Sequence, residues 1–257
     1  MIIDKRLEEL KRLLAKKLEN TEWSNPEYFD YLWMNGLRVK TFHLLVPKPR
    51  WRVLDIGCGD GWFSIQNALI FKDVYFTGID LYEAEDSKKN AQLFELENCS
   101  FIMMDTYKMG FKEKFDAVVF FHSLGNICSR KEDLINLFSK VKEALRNGGK
   151  LLIVEPFQED IKEYNKLKKL YEISGLCGRG EKKETILSQR DVLNALKRLN
   201  FKVLKVIKYI LLWRISIEEF LKYFKLKELP FKIRELYYRD KPKRTTIIIA
   251  HKLQKRL

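Results

Sequence analysis

The run Val53-Leu54-Asp55-Ile56-Gly57-Cys58-Gly59-Asp60-Gly61 constrains this chain more than any other stretch. An apolar strand tip ends on an acid, and three glycines follow at alternate positions. Residues 62–71 then carry apolar side chains at helical spacing. Glycine has no Cβ, so it serves where backbone turns sharply and lies close against a ligand. Placed between a strand and a helix, such a loop is suited to a nucleotide-type ligand.

Four later segments complete the pattern. Val74-Tyr75-Phe76-Thr77-Gly78-Ile79-Asp80 reads as a second strand ending on an acid, and Phe101-Ile102-Met103-Met104-Asp105 as a third. Phe115-Asp116-Ala117-Val118-Val119-Phe120-Phe121-His122 is a fourth. Asn147-Gly148-Gly149 turns into a fifth, Lys150-Leu151-Leu152-Ile153-Val154-Glu155-Pro156. Over residues 53–156 the order and spacing of these landmarks resemble the class I S-adenosylmethionine (SAM) methyltransferases. A dinucleotide-binding fingerprint shares an acid after the second strand. It gives no reason for Asp55 or for the Asn-Gly-Gly element.

The resemblance implies an α/β fold: a seven-stranded Rossmann-like sheet whose sixth and seventh strands form an antiparallel hairpin, with N-terminal helices outside it. Strand six is expected at 201–210 and strand seven at 245–250. More than thirty residues separate them, far beyond a hairpin turn. A helical insertion is therefore expected between strands 6 and 7. The expected domains are an N-terminal helical cap (1–46), a SAM-binding domain (47–210 with 245–257) and an insertion (211–244) for acceptor recognition. Within the cap, residues 4–19 read as an amphipathic helix. Asn25-Pro26-Glu27 opens another, which runs through Phe29, Leu32, Trp33 and Leu37 to just before Pro47.

By the same resemblance SAM is the cofactor. Gly57 and Gly59 let backbone approach its methionine moiety, with Cys58 between them as a small buried side chain. Asp55 orders the loop or meets the ammonium through water. Asp80 holds the ribose and Leu81 lies against the adenine. Asp105 accepts from the adenine amine, beside Thr106. Phe121 and His122 fall where the family places residues between donor and acceptor.

The acceptor is less legible. Methyl transfer from a sulfonium is an in-line displacement with an activated donor, so the protein mainly orients and desolvates. A base is needed only for a protonated acceptor. His122 is the candidate base against the simpler role of lining the pocket, and Glu155 is a similar case. The segment Phe120-Phe121-His122-Ser123-Leu124-Gly125-Asn126 resembles quinone- and small-molecule-type methyltransferases. It lacks the Asn/Asp-Pro-Pro-aromatic tetrad of base-amine enzymes and the cysteine of RNA cytosine-C5 enzymes. A small organic or lipid-like acceptor is the expected partner.

Charge distribution supplies the alternative. Residues 197–257 hold 18 basic and 5 acidic side chains, nearly all of the net charge of +14. Trp213, Phe220, Tyr223 and Phe224 are interleaved with those cations. Such a block suits an anionic partner, either RNA, through base stacking and phosphate contacts, or an acidic membrane surface, or it is a solvated surface. A non-catalytic SAM-binding protein is the further alternative. The four cysteines show no CxxC pair, which implies free thiols in a reducing cytoplasm and no metal. Neither a signal peptide nor a membrane span is expected.

Overall fold

A computed structural model describes residues 2–25, 29, 32–128, 131–157, 187–211 and 243–253. Among them are seven strands in one sheet, in the order β3-β2-β1-β4-β5-β7-β6. These are β1 (Arg52–Ile56), β2 (Tyr75–Asp80), β3 (Cys99–Met103), β4 (Phe115–Phe121), β5 (Leu145–Glu155), β6 (Phe201–Leu211) and β7 (Lys243–Lys252). The first five pair in parallel, and β7 runs antiparallel to both β5 and β6. The Rossmann-like sheet and its antiparallel 6-7 pair are thus as the sequence implied.

The central strands β1 and β4 and the second half of β5 read as continuous apolar runs because both faces of the sheet are covered there. Alternate residues belong to different cores. Leu54, Ile56, Val118, Phe120, Leu151 and Ile153 face one layer, which contains Leu134, Leu137, Phe138 and Val141 of a helix at Lys131–Ala144. That layer also holds Val192 and Leu196 of a helix at Gln189–Arg198. Val53, Ala117, Val119, Leu152 and Val154 face the other layer, with Leu37, Phe42, Phe63 and Ala68. In chain order the helices are α1 (Ile2–Lys17), α2 (Leu37–His43), α3 (Trp62–Ile70), α4 (Ala84–Gln92), α5 (Leu124–Ile127), α6 (Lys131–Ala144) and α7 (Gln189–Arg198).

The leucine stripe of α1 is buried as its spacing implied. Leu7, Leu10, Leu14 and Leu18 join Trp33, Trp62 and Phe94 in a third cluster. The second expected helix is different. Its described part is helical at Phe29, Leu32 and Trp33, passes through a 3-10 turn at Met34–Gly36 and continues as α2, with a break at Gly36. Gly36 sits at φ +68°, and a Cβ there would lie 2.9 Å from Leu7 Cδ2. The left-handed backbone favours glycine here, and the end of the Leu7 side chain from α1 crowds the position further. Boundaries moved elsewhere too. The fifth strand begins at Leu145, directly after α6 ends at Ala144, and so takes in the Asn147-Gly148-Gly149 turn expected to precede it.

Several sequence expectations lie outside the described residues. They include the start of the second helix at Pro26 and Glu27, the charged segment 159–173, whose sequence reads as a helix, and the glycine-rich segment 174–180, which reads as a loop. The insertion, with Trp213 and Phe220, is also outside them except for its ends. Among the described residues no helix is long and apolar enough to cross a membrane.

Candidate donor site at the sheet edge

Leaving β1, the chain builds outward to β2 and β3, then crosses back to β4 on the other side. The C-terminal ends of β1 and β4 therefore flank a topological switch point, where open α/β sheets bind ligands. The glycine loop occupies this point. Gly57, Gly59 and Gly61 all have positive φ, at 68°, 53° and 86°. The amides of Gly57 and Cys58 both donate to Ile79 O, at 2.8 and 3.1 Å, which ties the loop to β2.

The three glycines are required for different reasons. A Cβ on Gly57 would lie 2.7 Å from Ser123 Cβ. On Gly61 it would strike the Phe101 ring at 2.9 Å and Ser87 Cβ at 3.0 Å, a packing constraint between α3 and its neighbours. On Gly59 it would meet only Glu83 Oε2, at 3.3 Å, so that position is governed by backbone conformation.

Asp80 is joined directly to this loop. Its Oδ2 accepts from Gly59 N at 3.1 Å, and its Oδ1 accepts from Tyr82 N and Glu83 N at 2.9 and 3.0 Å. Its carboxylate thus shapes both the glycine loop and the turn into α4. Leu81, next in sequence, is 45% exposed. The tip of β3 lies alongside, since Met104 N donates to Asp80 O at 2.9 Å. There Asp105 Oδ1 accepts from Tyr107 N at 2.9 Å, and Thr106 is buried.

Asp55 is deeper than its neighbours, with 1% exposure, and its Oδ2 accepts from Ser64 Oγ at 2.8 Å. That contact binds the strand tip to the first turn of α3. Burial pushes its carboxyl up to about 7. The Ser64 hydrogen bond and Arg38 oppose the shift, and Asp80 adds to it. Burial likewise pushes partly exposed Asp60 up to about 6, against the pull of Arg38. Burial raises the Cys58 thiol as well, so it stays a neutral, inert filler.

Sequence reading missed Arg38. A lone arginine in an amphipathic helix reads as solvent-facing, yet here it is buried. It donates to Leu32 O at 2.5 Å, and its guanidinium lies 5.2 Å from the Phe121 ring centroid. Ser64 was equally silent, because only the fold brings it to Asp55. On the β4 side Phe121 and His122 stack with centroids 4.7 Å apart, and Phe63 lies 5.5 Å from Phe121. His122 adopts φ +52°, a left-handed conformation sparsely used by side-chain-bearing residues.

Asp55 sets a pH dependence. Unfolded, it titrates near 3.8; folded, near 7. Between those values the folded form keeps a proton that the unfolded form has released. The stability due to this group is therefore complete below about pH 4 and is lost as pH rises through 7. Asp60 adds the same trend up to about 6. Thermal unfolding of the ligand-free protein should show a midpoint falling from pH 5 to 8. Asp55→Asn keeps an acceptor for Ser64 but cannot ionise, so it should flatten that fall. A slope as steep as the parent's would locate its source elsewhere.

Comparison with known proteins sets this geometry in context. A family model described as a methyltransferase domain matches residues 47–208. A Bacillus subtilis protein named as the methyltransferase YqeM is 35% identical over 102 residues, 39% of this chain and 40% of that protein. A Thermoplasma acidophilum protein named as a cobalt-precorrin-6B C(15)-methyltransferase is 28% identical over 121 residues, 46% of this chain and 56% of that one. The matches thus span about half the length of these relatives. Among solved structures, the geranyl diphosphate C-methyltransferase of Streptomyces coelicolor was determined with Mg2+, geranyl diphosphate and S-adenosyl-L-homocysteine. It superposes with a TM-score of 0.60 at 15% identity, over 93% of this chain and 86% of that one. At that identity the likeness is one of fold.

Proposed function

We propose a small organic or lipid-like acceptor for this chain, which belongs to the family of methyltransferase domains. SAM is the donor, and when bound it supplies a methyl group already activated on a sulfonium. The residues at the switch point fit it. The loop has no room for a side chain at Gly57, acids stand at the tips of β2 and β3, and an exposed apolar side chain follows Asp80.

In this reading Gly57, Cys58 and Gly59 give backbone to the methionine end, and Asp55 holds them in shape through Ser64. Asp80 takes the ribose hydroxyls, with Leu81 against the adenine. Asp105 and Thr106 close the adenine end. Phe121 and His122 stand between donor and acceptor. His122 serves as the base where the acceptor carries a proton, and it lines the pocket otherwise. Residues 1–46 form the cap over the donor side and 211–244 the acceptor-recognition element.

The aromatic wall at the tip of β4 carries the acceptor assignment. Phe121 and His122 are stacked and half-buried, and buried Phe63 and Arg38 back them. Such a surface suits a flat or apolar organic molecule better than a phosphate backbone. The solved neighbour that binds geranyl diphosphate and the precorrin-named relative are in keeping with it. The test is transfer of labelled methyl from SAM, offered a small-molecule and lipid extract beside bulk tRNA and rRNA. Label should enter the extract. Label in RNA would overturn the assignment, especially with binding that falls steeply with salt as counterion release requires. That salt dependence should then flatten when Lys222, Lys225, Lys227, Lys232 and Arg234 are neutralised together.

A further inference from the structure

We propose that Glu155 and Ser123 are positioning residues for methyl transfer, bracing the acceptor-side turn against the donor loop across the tip of β4. The proposal rests on the reading that the loop at 57–61 holds SAM. Glu155 is the last residue of β5 and is buried at 7% exposure. Its Oε2 accepts from Leu124 N and its Oε1 from Gly125 N, both at 3.3 Å. Those amides begin α5, where helical amides have no partner within the helix. Ser123, directly before them, is 4% exposed and donates from Oγ to Ile56 O at 2.6 Å. Ile56 is the last residue of β1, and the next is Gly57.

The segment 122–125 is therefore tied on both sides. Towards β5 it is held by Glu155 and by the bond from His122 N to Val154 O at 2.9 Å. Towards β1 it is held by Ser123, whose Cβ also fills the space that a side chain on Gly57 would need. Local preference does not favour this shape, since His122 sits at φ +52°. Such a conformation persists only where surrounding contacts over-determine it. A buried carboxylate is a costly cap, but its hydrogen bonds are stronger than those of a neutral acceptor. Glu155 accepts from two successive backbone amides of the turn, which is the geometry of a brace. The residues meant for the acceptor and the loop meant for the donor thus share one frame, with their separation fixed from two strands away.

The experiment is a double-mutant cycle read by calorimetric binding of SAM, with Ser123→Ala, Glu155→Gln and the two together. Glutamine keeps one acceptor oxygen but turns an amide NH2 towards a backbone N–H. Each single change should weaken SAM binding by roughly tenfold, from the usual worth of such hydrogen bonds. The double variant should be weaker by clearly less than the product of the two, because the first change already releases the frame. Circular dichroism and thermal unfolding without SAM establish that each variant is folded. A merely structural role would lower the melting temperature and leave the binding cycle multiplicative. Folded variants that bind SAM like the parent, or effects that simply multiply, would overturn the brace. Failure of the parent itself to bind SAM would instead remove the donor reading, and the brace with it.

Discussion

Gly57→Val should lower SAM affinity by more than about a hundredfold. Two costs combine at this position. The backbone is left-handed, at φ +68°, which a β-branched side chain tolerates poorly. The first atom of any side chain would also lie 2.7 Å from Ser123 Cβ and 3.1 Å from Ile127 Cδ1. Forcing atoms into a packed site costs about 1–3 kcal/mol, and the left-handed backbone adds roughly 1–2 kcal/mol. Relief comes most readily by moving the loop off Ile79 O, which distorts the surface offered to the donor. Gly57→Ala, with a single added carbon, should show the same effect in weaker form and keep the fold in range for measurement. Gly59→Val separates the two costs, since its Cβ would meet only Glu83 Oε2 at 3.3 Å. It should therefore weaken binding less than Gly57→Val. Calorimetry and SAM-induced thermal shift provide the readout. If SAM protects folded Gly57→Val as well as it protects the parent, the loop does not cradle the donor.

What could be read from the sequence was whatever the local chain enforces. Buried parallel strands must be apolar throughout, so Val53-Leu54, Val118-Val119-Phe120 and Leu151-Leu152-Ile153 announced themselves, and their order gave the sheet. The acids at 55, 80 and 105 were legible because each closes such a run. The break at Gly36 was not, because Leu7, which crowds that position, belongs to another helix. Arg38 was hidden for a related reason. Its helix has an apolar stripe that predicts which face is buried, but not that the fold would also cover the polar one. The bonds from Ser123 to Ile56 and from Leu124 and Gly125 to Glu155 join residues 67, 31 and 30 positions apart. No periodicity encodes such contacts. They exist only once the crossover between β1 and β4 has brought three strand ends together.

Asp80→Ala is the second large effect expected, and the structure enlarges it beyond the loss of a ribose contact. A strand-tip carboxylate that accepts two ribose hydroxyls is worth about 1.5–3 kcal/mol by the usual scale of hydrogen bonds to a charged group. Here the same carboxylate also accepts from Gly59 N, Tyr82 N and Glu83 N, and so ties the glycine loop to the entry of α4. Removing it leaves those three amides to find water and frees the glycine loop and the turn into α4 at once. The affinity loss should therefore reach or exceed the upper end of that range. Asp80→Asn distinguishes the two contributions, because its one carbonyl oxygen can serve some of the amides but its NH2 cannot accept from ribose or backbone. The asparagine variant should recover part of the thermal stability lost in alanine while recovering little SAM affinity. Calorimetry with SAM, beside unfolding without it, reads both quantities. Unchanged SAM affinity in folded Asp80→Ala would refute the ribose assignment. Equal recovery of stability and affinity in Asp80→Asn would instead make Asp80 a loop anchor that the donor never touches.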